Sequence, residues 1–156
     1  MSRYTTVALL LWLSLCFLPV TRAEQAFLEA SCPLDYPEAM AHLQESIHHY
    51  GYHISHVQQV DKGLQQRGYQ SDAYKVVFFG KSKEIDYLRQ AYPVLIPFLP
   101  LSITIRQQGT QTVISTLAPN QLGQIITDFK AQLFFRRWHE EVEKILQRFA
   151  TCQGNA

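Results

Sequence analysis

Five of the six histidines fall between His42 and His56. Ligation of a metal or a haem is the first chemistry such a density raises, because neutral imidazole is the commonest protein ligand for transition metals. Spacing divides the group. His42 and His49 share one face of a helix and His48 points elsewhere, while His53 and His56 are an odd number apart, which on a strand sends them to opposite faces. His48, His49, His53 and His56 are therefore the candidates for one axial haem contact or a loose metal site. The competing use of the same residues is as solvated helix-face groups and hydrogen-bonded edge groups, and no cofactor is otherwise indicated.

A second place for chemistry is the apolar stretch Tyr92-Pro-Val-Leu-Ile-Pro-Phe-Leu-Pro100. Its three prolines stiffen the chain and speak against regular structure there. Val94, Leu95, Phe98 and Leu99 line a pocket or a dimer face if they are exposed, and cap the core if they are not. Tyr52 and Tyr74, with Tyr50 and Tyr69 near them in sequence, either join such a ligand site or sit at the core boundary as amphipathic tyrosines commonly do.

Catalytic signatures are missing. The sequence has no GxSxG, no HExxH, no phosphate-cradling Gly-rich loop and no dinucleotide fingerprint. Glu38, Glu45, Asp61 and Asp72 are spread so that no two align for general acid and base work. The residues thus favour a non-catalytic module that binds a small ligand or a partner over an enzyme.

Compartment follows from the opening residues. Arg3 precedes an almost purely apolar run from Val7 to Leu18, Pro19 breaks it, and Thr21-Arg22-Ala23 offers small residues at both positions read by a signal peptidase. We expect cleavage after Ala23. From Val7 to Val20 the run is about six residues short of the roughly 20 that span a bilayer, so nothing would hold the cleaved chain in a membrane. The expected location is secreted, or periplasmic in a Gram-negative source. Cys16 leaves with the leader, and the two remaining thiols, Cys32 and Cys152, pair in an oxidising compartment.

Charge narrows the partners. With Arg3 and Arg22 gone, twelve basic side chains face thirteen acidic ones, a net of about −1 with histidine neutral. The one adjacent arginine pair, Arg136 and Arg137, lies beside Glu140, Glu141 and Glu143, so a nucleic-acid surface is not expected.

The elements that would position these residues are legible in part. Asp35 caps a helix with Pro37 in its first turn and Glu38 closing a capping box, and Met40, Leu43, Ile47 and Tyr50 make its buried stripe up to the Gly51 stop. Tyr52 to Val57 reads as a short strand, Val60 to Arg67 as a helical turn or two, and Tyr74 to Phe79 as a central strand ending at Gly80. Ser82 caps a helix through about Ala91. Leu101, Ile103 and Ile105 alternate with polar residues, turn through Gly109, and return over Thr112 to Leu117 as a hairpin with one wet face. Asn120 caps a long helix toward Phe149, burying Leu122, Ile126, Phe129 and Leu133 and then Trp138, Val142, Ile145 and Phe149, with a change of phase near Phe134 to Arg137.

This order, with Gly51-Tyr52, Leu64 before Gly68, Val76-Val77-Phe78-Phe79-Gly80, Pro93 after a helix, and Leu99-Pro100 opening the Ile103/Ile105 hairpin with Gly109 at its turn, resembles domain-of-unknown-function family 302. The resemblance covers about residues 38–119. It implies a two-layer α+β domain, an antiparallel sheet with helices on one face, often a homodimer, and it brings no agreed activity. Two departures stand out: Lys81-Ser82-Lys83 follows the Phe-Gly pair where members commonly have Asn-Pro, and Pro97-Phe98 stands where many carry Gly before Leu-Pro. Residues 24–156 are expected to form one α+β domain, with residues 120–150 as a helical extension of the family-like core.

Overall fold

Alternating apolar residues build the sheet. The computed structural model describes residues 26–152, and the leader expected over 1–23 lies outside the described residues. Strands β1 (Phe27–Cys32), β2 (His53–Gln59), β3 (Tyr74–Gly80), β4 (Leu101–Gln108) and β5 (Gln111–Leu117) pair antiparallel in the order β1-β5-β4-β3-β2. Val77 opposes Ile103 and Ile105 opposes Ile114, so one side chain in two enters the core. The opposite face carries Tyr74, Val76, Phe78, Ser102, Thr104 and Arg106, each partly exposed. This is the wet face that the hairpin pattern predicts.

Helices cover the inner face. They are α1 (Tyr36–His49), α2 (Val60–Gln65), α3 (Ser82–Ala91), α4 (Asn120–Gly123) and the long C-terminal α5 (Phe129–Ala150). Asp35 caps α1 by accepting a hydrogen bond from the Glu38 amide at 3.1 Å. Gly51, with φ of 74°, ends it in the left-handed region. Ala39, Leu43 and Ile47 of α1 meet Phe135, Trp138, Val142, Ile145 and Phe149 of α5 in one core with Phe79 and Leu101 of the sheet.

The structure departs from the sequence reading at several places, each for a local reason. Residues 27–32, to which the sequence reading gives no element, form an edge strand in which Phe27 to Cys32 pair with Leu117 to Thr112 and Leu28, Ala30 and Cys32 turn toward the core. The proline-rich stretch is regular after all: Pro93–Phe98 is a 3-10 helix, held by Leu95 N–H to Tyr92 O at 2.9 Å and Leu99 N–H to Ile96 O at 3.3 Å. Pro93 stands in the first turn, where an N–H would have no partner within the helix, and Pro97 removes one bond of so short a helix. Ser82 is the first residue of α3, whose cap position is Lys81.

The C-terminal helix is two helices, and the break comes earlier than the change of phase. Asn120 lies inside the short α4, and Asp128 is the cap of α5, accepting from the Ala131 amide at 3.0 Å. This restart rotates the buried stripe onto Ala131, Phe135, Trp138 and Val142. Phe129 and Leu133, expected inside, are 68% and 43% exposed.

Candidate functional site

Strand ends gather at one pole of the sheet. β1 begins there, β3 ends there at Gly80, β4 begins at Leu101 and β5 ends at Leu117. Gly80 packs closely under the Ile85 side chain, whose end would have to move to admit a Cβ there. The 3-10 helix crosses the pole and leaves a groove of about 200 Å³ between itself, the open face and α4. It is lined by Phe78, Pro97, Phe98, Leu99, Leu117 and Leu122, with Ser102 and Thr116 beside them. The Thr116 hydroxyl already donates to the Ser102 carbonyl at 2.7 Å. Among the described residues, none of the side chains that line the groove is titratable.

The expected ligand residues do not all meet here. Phe98 and Leu99 line the groove, Leu95 is fully buried in the core, and Val94 is exposed. Tyr74 lies at the other end of the open face, in a shallow cleft with Asp72, Thr104 and Arg106. Tyr52 sits on the covered side at 1% exposure. Sequence reasoning missed Phe78, Leu117 and Leu122 as groove walls, since each reads as an ordinary core residue until the register is known.

The histidines are dispersed. His42 Nε2 bonds the Arg148 carbonyl at 3.1 Å beside Phe149, and His48 Nδ1 meets the Tyr52 carbonyl at 3.1 Å. His49 stands edge-on to Tyr50, His53 opens β2, and His56 stacks on Phe78 and pairs with Gln58. Among the described residues no three His, Cys, Asp or Glu side chains come together as a metal ligand set.

A polar cluster that the sequence reading did not assemble joins the residue before β2, the cap and first turn of α3, and α5. The Tyr52 hydroxyl donates to Glu141 Oε2 at 2.6 Å, and Lys81 Nζ donates to both Glu141 oxygens at 2.9 and 2.8 Å while lying 4.6 Å over the Tyr52 ring. Glu84 takes Trp138 Nε1 at 2.7 Å and Arg137 at 2.8 Å. Burial first, and then the hydrogen bond to Glu141, push the Tyr52 phenol far above its ordinary range. Two cations and two carboxylates neutralise one another, so the cluster is built to fix α5 against the sheet. The visible signal was the four-residue step from Arg137 to Glu141.

At the pole opposite the groove, Cys32 and Cys152 are joined, their Cα atoms 6.1 Å apart. The bond ties the end of β1 to the chain just past α5.

A two-layer α+β domain with its helices on one face of a five-stranded antiparallel sheet is the class this fold defines. The family model described as "Domain of unknown function DUF302" matches residues 28–149, and the chain belongs to that family. The match runs from β1 to the end of α5, wider than the stretch 38–119 that carries the motifs. The fold is similar to the crystal structure of an uncharacterized conserved DUF302 protein from Bacillus stearothermophilus, with a TM-score of 0.72 at 18% identity over 80% of this chain and 98% of that one. The sequence has no match among curated proteins.

Proposed function

We propose that the chain is an exported, non-catalytic binding module that takes a small apolar ligand in the groove between the 3-10 helix and the open face of the sheet. The observation that carries this reading is the groove's make-up: apolar side chains line it, and among the described residues none that lines it is titratable. A volume of about 200 Å³ is below the range of drug-sized pockets, which start at roughly 300 Å³. The ligand class is accordingly a ring-sized or short-chain molecule with at most one or two polar atoms. Export is supported by the apolar run from Val7 to Leu18 ahead of Thr21-Arg22-Ala23, and a Cys32–Cys152 disulfide is compatible with it.

Ligand-observed NMR with indole and 1-naphthol as probes tests the reading. Transfer of saturation from the processed protein is expected, and Leu99→Ser and, separately, Phe78→Ser are each expected to abolish it with the fold retained by circular dichroism. Probe binding that survives both substitutions would remove the groove as the site.

A further inference from the structure

The sixth histidine, His139, stands far from the other five in sequence and lines a cleft of its own. The cleft lies between α4 and α5 and offers about 400 Å³, within the range of roughly 300–1,000 Å³ usual for small-molecule sites. Asn120 and Gln124 line it from the α4 side, and Gln132, Arg136, His139 and the buried Phe135 from α5. Gln132 Nε2 donates to the Ile126 carbonyl at 3.0 Å, which ties the two sides together before any ligand arrives.

Two polar groups of this cleft are left unused by the fold. His139 turns Nε2 toward Glu143 at 3.6 Å, while its Nδ1 is buried and has no hydrogen-bond partner. A buried ring nitrogen in that state is destabilising unless something from outside the fold meets it. Arg136, three residues earlier and so a neighbour on the same helix face, makes no hydrogen bond or ion pair with any described residue.

The charged groups nearby do not supply the missing partner. Glu140 follows Arg136 by one helical turn and makes no ion pair with it. Asp128 is engaged at the start of α5 by the Tyr92 hydroxyl and the Ala131 amide. Residues 118–127, on the α4 side, include no charged residue. On the other elements that pack against α5, Glu45 is held by Arg148, Glu84 by Arg137 and Lys81 by Glu141, and Glu29 of β1 meets Arg106.

Hydrogen-bond chemistry selects the ligand. With Nε2 turned to a carboxylate, Nδ1 presents a hydrogen only when the ring carries both protons, so an anionic ligand and the imidazolium favour each other. Arg136 offers a planar fork that matches the two oxygens of a carboxylate. One guanidinium and one N–H suit a planar monoanion, whereas a phosphate brings a third oxygen and a second charge to satisfy.

We propose that the cleft between α4 and α5 is a second binding site, which takes a small organic carboxylate on the Arg136 guanidinium and His139 Nδ1. It stands apart from the groove: no residue lines both, and α4 separates them, with Leu122 on the groove and Asn120 on the cleft.

Isothermal titration of the processed protein with benzoate tests the proposal, with benzamide as the uncharged analogue and inorganic phosphate as competitor. Benzoate is expected to bind at least about tenfold more tightly than benzamide. Arg136→Gln should weaken benzoate at least about tenfold, and Arg136→Lys, which keeps the charge without the fork, should recover only part of the loss. Affinity should fall severalfold from about pH 6 to about pH 8, and His139→Gln should remove that dependence. Arg136 is exposed, so its substitution leaves the core untouched, and circular dichroism checks the fold of each variant. Leu99→Ser should leave benzoate binding intact while removing indole binding, so loss of the groove and loss of the cleft are separable. Absence of benzoate binding, equal binding of benzamide, or benzoate affinity unchanged by Arg136→Gln overturns the proposal. Displacement of benzoate by an equal concentration of phosphate would make this an inorganic-anion site and overturn the assignment to carboxylates. A pH dependence that persists in His139→Gln would remove His139 from the site.

Discussion

Removing the Tyr52 hydroxyl should weaken the domain by an amount that depends on Glu141. The hydroxyl donates to Glu141 at 2.6 Å from a ring that is 1% exposed, so water cannot replace the carboxylate. A hydrogen bond to a charged partner contributes about 1.5–3 kcal/mol. Glu141 keeps both bonds from Lys81, and its side chain is 20% exposed, which puts Tyr52→Phe at the lower end, about 1.5 kcal/mol. For a domain of this size that is a fall in melting temperature of roughly 5 °C. In a Glu141→Gln background the same hydroxyl meets a neutral acceptor, and its loss should cost only about 0.5 kcal/mol. Urea unfolding of the two single variants and the double variant, all with the disulfide intact, should therefore return a coupling energy near 1 kcal/mol. A coupling inside the additivity error, about 0.3–0.5 kcal/mol, would refute the argument that this cluster locks α5 to the sheet.

Two further outcomes follow from the same structure. If the proposed export holds, intact-mass analysis of the protein recovered from a secreting host should show residues 1–23 absent and two hydrogens missing. Replacing Cys32 and Cys152 by Ala should then lower unfolding free energy by up to about 4–5 kcal/mol, the chain-entropy value for a loop spanning 120 residues; free, alkylatable thiols in the folded protein would contradict both. In alkali, burial, and next the charge of Asp61, push the Tyr36 phenol from 10.0 up to about 12, and Tyr52 moves the same way. The folded state holds these protons after the unfolded state has lost them, so stability is fully present below pH 10 and falls as pH rises toward 12. Absorbance titration of the phenols should show three that ionise late, Tyr92 joining Tyr36 and Tyr52 because its hydroxyl donates to Asp128, and a single transition near pH 10 for every tyrosine would remove the basis for that slope.

How far the site was readable from residues alone depends on the range of the interaction. Phe98 and Leu99 were identifiable because three prolines and five large apolar residues in one short run are a local signal. Phe78, Leu117 and Leu122 were not, because they become groove walls only through the β3–β4–β5 register and the placement of α4. The histidine cluster shows the opposite case. Proximity in sequence raised a metal hypothesis, and the turn at Gly51 then dealt those side chains to a helix end, a strand edge and the open face.

Short-range physics written into the chain was enough for the Asp35 cap, the Gly51 stop, the Tyr74 to Phe79 strand, the 101–117 hairpin, the α+β class and the pairing of Cys32 with Cys152. Each depends on neighbours within a few residues or on simple arithmetic. Tertiary structure alone decided the edge strand β1, the polar cluster around Glu141, and the exposure of Phe129 and Leu133. The reason is rotational: a helix stripe continued from Leu122 buries those two residues, whereas a helix restarted at Asp128 turns them outward, and the restart is held by Tyr92, thirty-six residues earlier in the chain.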